Sequence, residues 1–258
     1  MASRPPVLFV DDELVTAQLY ARAITKRGIG VAIGVGAEEG LRLAKELKPR
    51  VIVSDVQMPG MGGFDFCEAL IKDGLKTCPV IFFTAHDDLD VLRFGLESGG
   101  DDFMIKGSQL NHIMERVTFW MGTGFLAMPQ MARDRAHELV NEAKEDNTPT
   151  VAEIVQLDKK LLKELAQQAM EEVKTVGPDY GTRLVERIFF LGRLSHLVLE
   201  KCTTLGAVIR FPDYLMGAIA HVDFPWLSDL NILMKHFDYF SRDPRFKEAA
   251  TKGLMVIS

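Results

Sequence analysis

Cysteine is scarce: 258 residues hold only Cys67, Cys78 and Cys202. The number is odd, no CxxC pair occurs and no histidines stand at zinc-ligand spacing, so neither a disulfide framework nor a structural zinc centre is indicated. The two cysteines of the first half, Cys67 and Cys78, read as small packed residues in a reducing compartment. Positive charge is also short, with 30 Lys and Arg against 36 Asp and Glu for a net of −6. That excludes a global basic field able to attract nucleic acid or an anionic membrane. Long apolar runs are missing as well. The opening MASRPPVLFVDDE has four consecutive apolar residues before two aspartates, too few for the core of a secretory signal. The longest uncharged stretch, Val117 to Ala132, is 16 residues broken by Gly122, Gly124 and Pro129. A membrane span needs roughly 20 apolar residues, so a cytoplasmic chain with no membrane partner is expected. What is present, 47% apolar and 26% charged residues, is the composition of an ordinary folded protein, and at about 150 residues per domain the length suggests two domains.

Short β-rich runs alternate with amphipathic stretches through the first 120 residues. Strands are expected at Val7–Val10, Val31–Val35, Val51–Ser54, Val80–Thr84 and Asp102–Ile105, and helices at Leu14–Arg27, Glu38–Leu47, Phe64–Lys72, Leu89–Glu97 and Gln109–Trp120. Runs such as VLFV, VIV and VIFF lack polar alternation, as strands covered on both faces do. The pattern is that of a parallel sheet with crossover helices. From about residue 129 strand-like runs fade. Helices are expected at Met131–Asp146, Val151–Lys174, Thr182–Cys202, Asp213–His221, Trp226–Tyr239 and Asp243–Gly253, the last opening on Asp followed by Pro. The division reads as 1–125, a linker helix over 126–150, and an all-α domain over 151–258.

Five polar residues fall at the carboxyl ends of the expected strands: Asp11 and Asp12 after the first, Asp55 after the third, Thr84 after the fourth, Lys106 after the fifth. In an open parallel sheet these ends form the ligand crevice. Three carboxylates converging there repel one another and call for a positive charge. All-oxygen ligands with room for water and phosphate suit Mg²⁺ better than zinc. A carboxylate beside such a cation can attack a phosphoryl group and form an aspartyl phosphate. Lys106 supplies a compact cation for the phosphoryl oxygens, and the Thr84 hydroxyl a hydrogen bond. Asp101 and Asp102 read as solvated turn residues, and His86 as a loop residue near the site.

Together VLFVDDE, VIVSDVQMPGMGGFDF, VIFFTAH and DDFMIKG closely resemble the receiver domain of two-component response regulators, over residues 5 to about 122. The resemblance implies a flavodoxin-like (βα)5 α/β fold with a parallel five-stranded sheet of order 2-1-3-4-5. It implies that Asp55 is the phosphoacceptor, that Asp12, Asp55 and the main-chain carbonyl of Gln57 ligate Mg²⁺, and that Asp11 holds the metal through water. Thr84 and Phe103 match the pair whose hydroxyl and ring reorient on phosphorylation. Gln57 and His86 correspond to positions that tune dephosphorylation. The implied partner is a sensor histidine kinase or a phosphotransfer protein, and the implied chemistry is self-catalysed phosphorylation and hydrolysis, not turnover of an external substrate. One position departs from the family, which usually has proline, often cis, after the lysine; here it is Gly107. A non-proline cis bond costs about 2.5–4 kcal/mol, so either that cost is borne or the bond is trans, and the aim of Lys106 depends on which.

The second half matches no common enzymatic output: GGDEF, EAL and P-loop patterns are all missing. Residues 129–258 carry 17 Lys and Arg against 19 Asp and Glu, with one dense basic group at Arg242, Arg245 and Lys247. That is a poor surface for phosphate contacts. Three outputs stay open: contact with a protein target or a second copy of the chain, DNA binding by a helical domain, and phosphorelay through His196 in LSHLVLEKCTTLGA. The last is weakened by Glu200, one turn from His196. The uncharged Val117–Ala132 stretch suggests a packed join between the halves instead of a loose tether.

Overall fold

The computed structural model describes residues 5–86, 88–108, 110–142, 157–174, 183–222 and 234–238. The chain divides into two compact units, Met1–Met128 with Val140–Val151 and Pro129–Leu139 with Ala152–Ser258.

In the first unit β1 (Val7–Asp11), β3 (Val51–Asp55) and β4 (Val80–Thr84) are buried at every position. Their unbroken apolar sequences fit the centre of a sheet covered on both faces. The edges are β2 (Val31–Val35), partly exposed, and β5 (Asp102–Ile105). All pairings are parallel and the order is β2-β1-β3-β4-β5, a flavodoxin-like receiver fold. The crossovers are α1 (Leu14–Thr25), α2 (Ala37–Leu47), α3 (Gly63–Lys72), α4 (Leu89–Glu97) and α5 (Leu110–Gly122).

Strand parity sorts the core into two layers, because successive side chains point to opposite faces. On one face Tyr20 of α1 meets Phe9 and Phe83 at ring separations of 5.9 and 4.7 Å. On the other, Phe82 meets Phe64 at 4.9 Å and Phe103 at 5.7 Å. Register then places the site. Val10 pairs with Ser54 and Asp55 with Phe83, so Asp11 and Asp55 emerge level, on the face of Phe9 and Phe83. Thr84 pairs with Ile105 and shares the opposite face with Phe103.

Two expectations fail in this unit. Asp101 and Asp102 are completely buried, not solvated. Asp101 accepts from Lys76 Nζ at 2.7 Å and from the Val80 and Met128 amides at 2.8 Å each. Asp102 accepts from Arg116 Nε at 2.6 Å, Trp120 Nε1 at 2.8 Å and the Phe103 amide at 2.8 Å. Buried carboxylates persist when each is paired with a cation and hydrogen-bonded, and both conditions hold here. The first helix also stops at Thr25, two residues early, where Lys26 to Gly28 turn on amides bonded to Arg22, Ile24 and Thr25 carbonyls.

After α5 the described structure is helical: α6 (Gln130–Glu142), α7 (Lys159–Lys174), α8 (Arg183–Lys201), α9 (Leu205–Ile209) and α10 (Phe211–Ile219). In the second unit α7 packs on α8 and on α10, burying Leu162, Leu165 and Ala169 with Leu194, Val198 and Leu215. An ion pair joins Arg193 to Glu172. The burial of Glu172 works to raise its pKa, but hydrogen bonds from Arg193 and Gln168 outweigh it and hold the carboxyl below its ordinary value. The long helix expected from Val151 begins at Lys159, because Asp158 accepts the Leu161 amide at 2.7 Å and caps it there. The helix expected at Asp213–His221 is α10, starting two residues earlier, and the short α9 before it was not expected. Thr204 caps α9, accepting from the Ala207 amide at 3.2 Å, and α10 starts at Phe211 with proline in its first turn. Residues 143–156, most of the expected Trp226–Tyr239 helix, the Asp243–Gly253 helix and the Arg242, Arg245, Lys247 group lie outside the described residues.

Candidate functional site

Asp11 and Asp55 are the last residues of two neighbouring central strands and Thr84 the last of the next. All three are buried, at 0, 3 and 1% exposure, while Asp12, one residue beyond β1, is half-buried. The loops fix the carboxylates. The Glu13 amide donates to Asp11 Oδ1 at 2.8 Å and the Gln57 amide to Asp55 Oδ1 at 3.2 Å. Lys106, just past β5, donates to Asp55 Oδ2 at 2.7 Å and stands 3.5 Å from Asp11 Oδ2. Its ammonium also sits 5.6 Å from the centre of the Phe83 ring, a cation–π contact that helps aim it.

Burial pushes the Asp11 carboxyl above its ordinary pKa, and the Asp55 charge adds to this against the Glu13 amide and Lys106. For Lys106 burial acts downward, but the hydrogen bond and charge of Asp55, with Asp11 behind them, prevail and raise it. The ammonium therefore stays charged across the neutral range.

One ligand oxygen from each of Asp11, Asp12 and Asp55 lies within 4.8 Å of the other two. Oxygens that share an Mg²⁺ at about 2.1 Å stand roughly 3–4.2 Å apart, so a small side-chain rotation lets this all-carboxylate set fit the ion. The donor chemistry excludes a preference for zinc or copper, which favour nitrogen and sulfur.

The Thr84 hydroxyl oxygen accepts the His86 amide at 3.0 Å, which leaves its proton to donate. Phe103, 1% exposed, packs against Phe82 and over Gly95 of α4, where an added Cβ would stand 2.5 Å from the ring. The Lys106–Gly107 bond is trans and Gly107 has φ +86°. Proline is locked near φ −65°, so this loop geometry is closed to it and explains the departure from the family pattern. Sequence reasoning passed over Gly63. A Cβ on it would lie 2.1 Å from the Asp55 carbonyl oxygen, so the first residue of α3 has to be glycine for the helix to start beneath the end of β3. The Gly62-Gly63 doublet was the available signal.

His196 lies in α8 of the second unit, 28% exposed, with Nε2 3.0 Å from Glu200 Oε1. The adjacent Ser195 is fully buried.

The family model for the response regulator receiver domain matches residues 7–118. The transcriptional regulatory protein AfsQ1 of Streptomyces coelicolor is 37% identical over 41% of this chain and 46% of its own length. The DNA-binding response regulator MtrA of Mycobacterium tuberculosis is 31% identical over 44% of this chain and 49% of its own. The chain thus spans about half the length of these curated relatives. The alkaline phosphatase synthesis transcriptional regulatory protein PhoP of Bacillus subtilis is 28% identical over 80% of this chain and 79% of its own length. Among solved structures, the receiver domain of the Francisella response regulator 1452 is 30% identical with a TM-score of 0.43, covering 45% of this chain and 96% of that one. With the strand order, the carboxylate cluster and the lysine already in place, residues 7–118 of this chain are a response regulator receiver domain.

Proposed function

We propose that this chain is a two-component response regulator switched by phosphorylation of Asp55. The observation that carries the reading is the convergence of Asp11, Asp12 and Asp55 within 4.8 Å, with Lys106 2.7 Å from Asp55. A histidine kinase or phosphotransfer protein would present a phosphoimidazole. Asp55 forms the new P–O bond as the P–N bond breaks, and the leaving imidazole takes its proton from solvent. Asp12 and Asp55, with the Gln57 carbonyl, would hold Mg²⁺ and Asp11 would hold it through water, its charge offsetting that of the entering phosphoryl group. Lys106 exchanges the Asp55 carboxylate for a phosphoryl oxygen, and Thr84 turns its hydroxyl to donate to another. Phe103, on the same sheet face as Thr84, follows into the space vacated. Leu14 and Val15, 46 and 80% exposed in the first turn of α1, adjoin Asp12 and give a donor protein an apolar landing at the mouth of the site.

For the output, a helical region that acts by contact with a protein target or a second copy is supported by the charge balance of residues 129–258, 17 basic against 19 acidic. A second reading, DNA binding, is favoured by the relatives: AfsQ1 and PhoP are transcriptional regulatory proteins, MtrA is a DNA-binding response regulator, and the PhoP match runs over 205 residues. For phosphorelay, Glu200 beside His196 would repel an incoming phosphoryl group. Intact mass after incubation with acetyl phosphate and Mg²⁺ tests the receiver: one added phosphoryl group is expected, and no gain, or an equal gain in Asp55→Asn, overturns it. Size-exclusion mass with and without beryllofluoride, beside a gel shift on genomic fragments at physiological salt, separates the two outputs.

A further inference from the structure

We infer that residues 123–128 form a strap belonging to the receiver and latched by Asp101, so that the strand leading into Lys106 also sets where the chain leaves the domain. The family match stops at residue 118 and α5 at Gly122, yet the first compact unit runs on to Met128. Thr123, Phe125 and Met128 are 4, 3 and 2% exposed. The Thr123 hydroxyl accepts the Phe125 amide at 3.3 Å, and Arg50, before β3, donates to the Met121 carbonyl. The fastening itself is a side chain. Asp101 Oδ1 accepts the Met128 amide at 2.8 Å while Oδ2 accepts Lys76 Nζ at 2.7 Å and the Val80 amide at 2.8 Å. One carboxylate at 0% exposure therefore ties the loop before β4, the start of β4 and the strap to the residue preceding β5.

Asp102, its neighbour, holds α5 through Arg116 and Trp120. Both carboxylates stand at the amino end of a four-residue strand whose carboxyl end leads into Lys106. A strand of that length is about 13 Å and is paired with β4 along its length, so the inferred coupling is that any shift of the β5 backbone following Lys106 toward a phosphoryl group reaches the Asp101 latch at the other end. Pro129 and α6 follow directly, so the strap is the piece of chain between α5 and α6, latched at its last residue. This coupling rests on the Asp55 reading; the latch does not.

Hydrogen exchange of residues 123–128 in the full chain tests both. Without phosphodonor, Asp101→Asn and the milder Lys76→Met should speed exchange at the Met128 amide by about tenfold or more, since a hydrogen bond to a buried charge is lost or weakened. Equal protection in wild type and both variants overturns the latch. With beryllofluoride and Mg²⁺ bound, wild-type exchange over 123–128 should change and that of Asp101→Asn should not change further. Binding of beryllofluoride with unchanged strap exchange in wild type overturns the coupling, and failure to bind it overturns the Asp55 reading and the coupling together. Lys76→Met covers the case in which Asp101→Asn does not fold.

Discussion

Lys106 and Asp55 are joined by a 2.7 Å hydrogen bond although β5, which Lys106 follows, and β3, which Asp55 ends, are separated by β4. Under the function proposed above, the bond is a resting contact that has to be given up, since the same ammonium would then serve the phosphoryl group on Asp55. A point charge that can swing from carboxylate to phosphoryl oxygen suits this exchange, and a planar guanidinium does not.

Lys106→Ala should therefore lower the rate of phosphorylation by acetyl phosphate by about 10²-fold, the usual cost of losing a transition-state charge partner. Lys106→Arg should fail to restore it. Intact-mass time courses at fixed Mg²⁺ decide; an unaffected rate in Lys106→Ala would show that the lysine is a structural counter-ion only.

Gly63→Ala should displace Asp55, because the added Cβ meets the Asp55 carbonyl oxygen at 2.1 Å. A loss of about 1–3 kcal/mol of stability is expected from such overpacking, with phosphorylation impaired even where the protein remains folded. Gly122→Ala meets nothing within 4 Å and serves as control. Urea unfolding of the two variants side by side gives the answer, and equal midpoints would contradict the close approach.

Asp102→Ala removes the buried carboxylate that pairs with Arg116 Nε at 2.6 Å, Arg116 being 1% exposed. Removing one member of a buried pair costs about 3–5 kcal/mol. Glu46→Ala, which breaks the exposed pair with Arg42, should cost no more than about 0.5 kcal/mol. Chemical denaturation measures both, and comparable losses would mean that Arg116 finds relief elsewhere.

Burial pushes the Cys78 and Cys202 thiols up to about 12 from an ordinary 9.0. The folded protein then binds protons more tightly than the unfolded chain between those values. The stability these thiols contribute is complete below pH 9 and is lost as pH rises toward 12. At pH 8 iodoacetamide should leave both unmodified in the native protein and label both in urea. Rapid native labelling at either position would overturn the assignment.

Much of the receiver was legible because its signals are local. VLFV, VIV and VIFF announce central strands by themselves, and Asp11, Asp12, Asp55, Thr84 and Lys106 each close or follow a strand, so position in sequence translates directly into position in the crevice. Asp101 and Asp102 were misread for the opposite reason. After Gly99-Gly100 an aspartate pair has the look of a turn, and the cations that justify their burial sit at Lys76 and Arg116, reached only through the fold. Helix α9 escaped because five residues are too few to show a period, although Thr204 carried a capping signal. The Asp158 cap was equally visible, but the helical spacing of Ile154, Leu157, Leu161 and Leu165 extended the expected helix past it.

The contact between Trp120 and Asp102 has an optical consequence. The chain contains two tryptophans, Trp120 and Trp226, and the Trp120 indole N–H is bonded at 2.8 Å to a carboxylate on the strand that leads to Lys106. An indole's emission responds to charge beside its ring. In a Trp226→Phe background the protein would hold one native fluorophore bonded to β5, so that the phosphorylation proposed at Asp55 should register as a change in emission with no label attached.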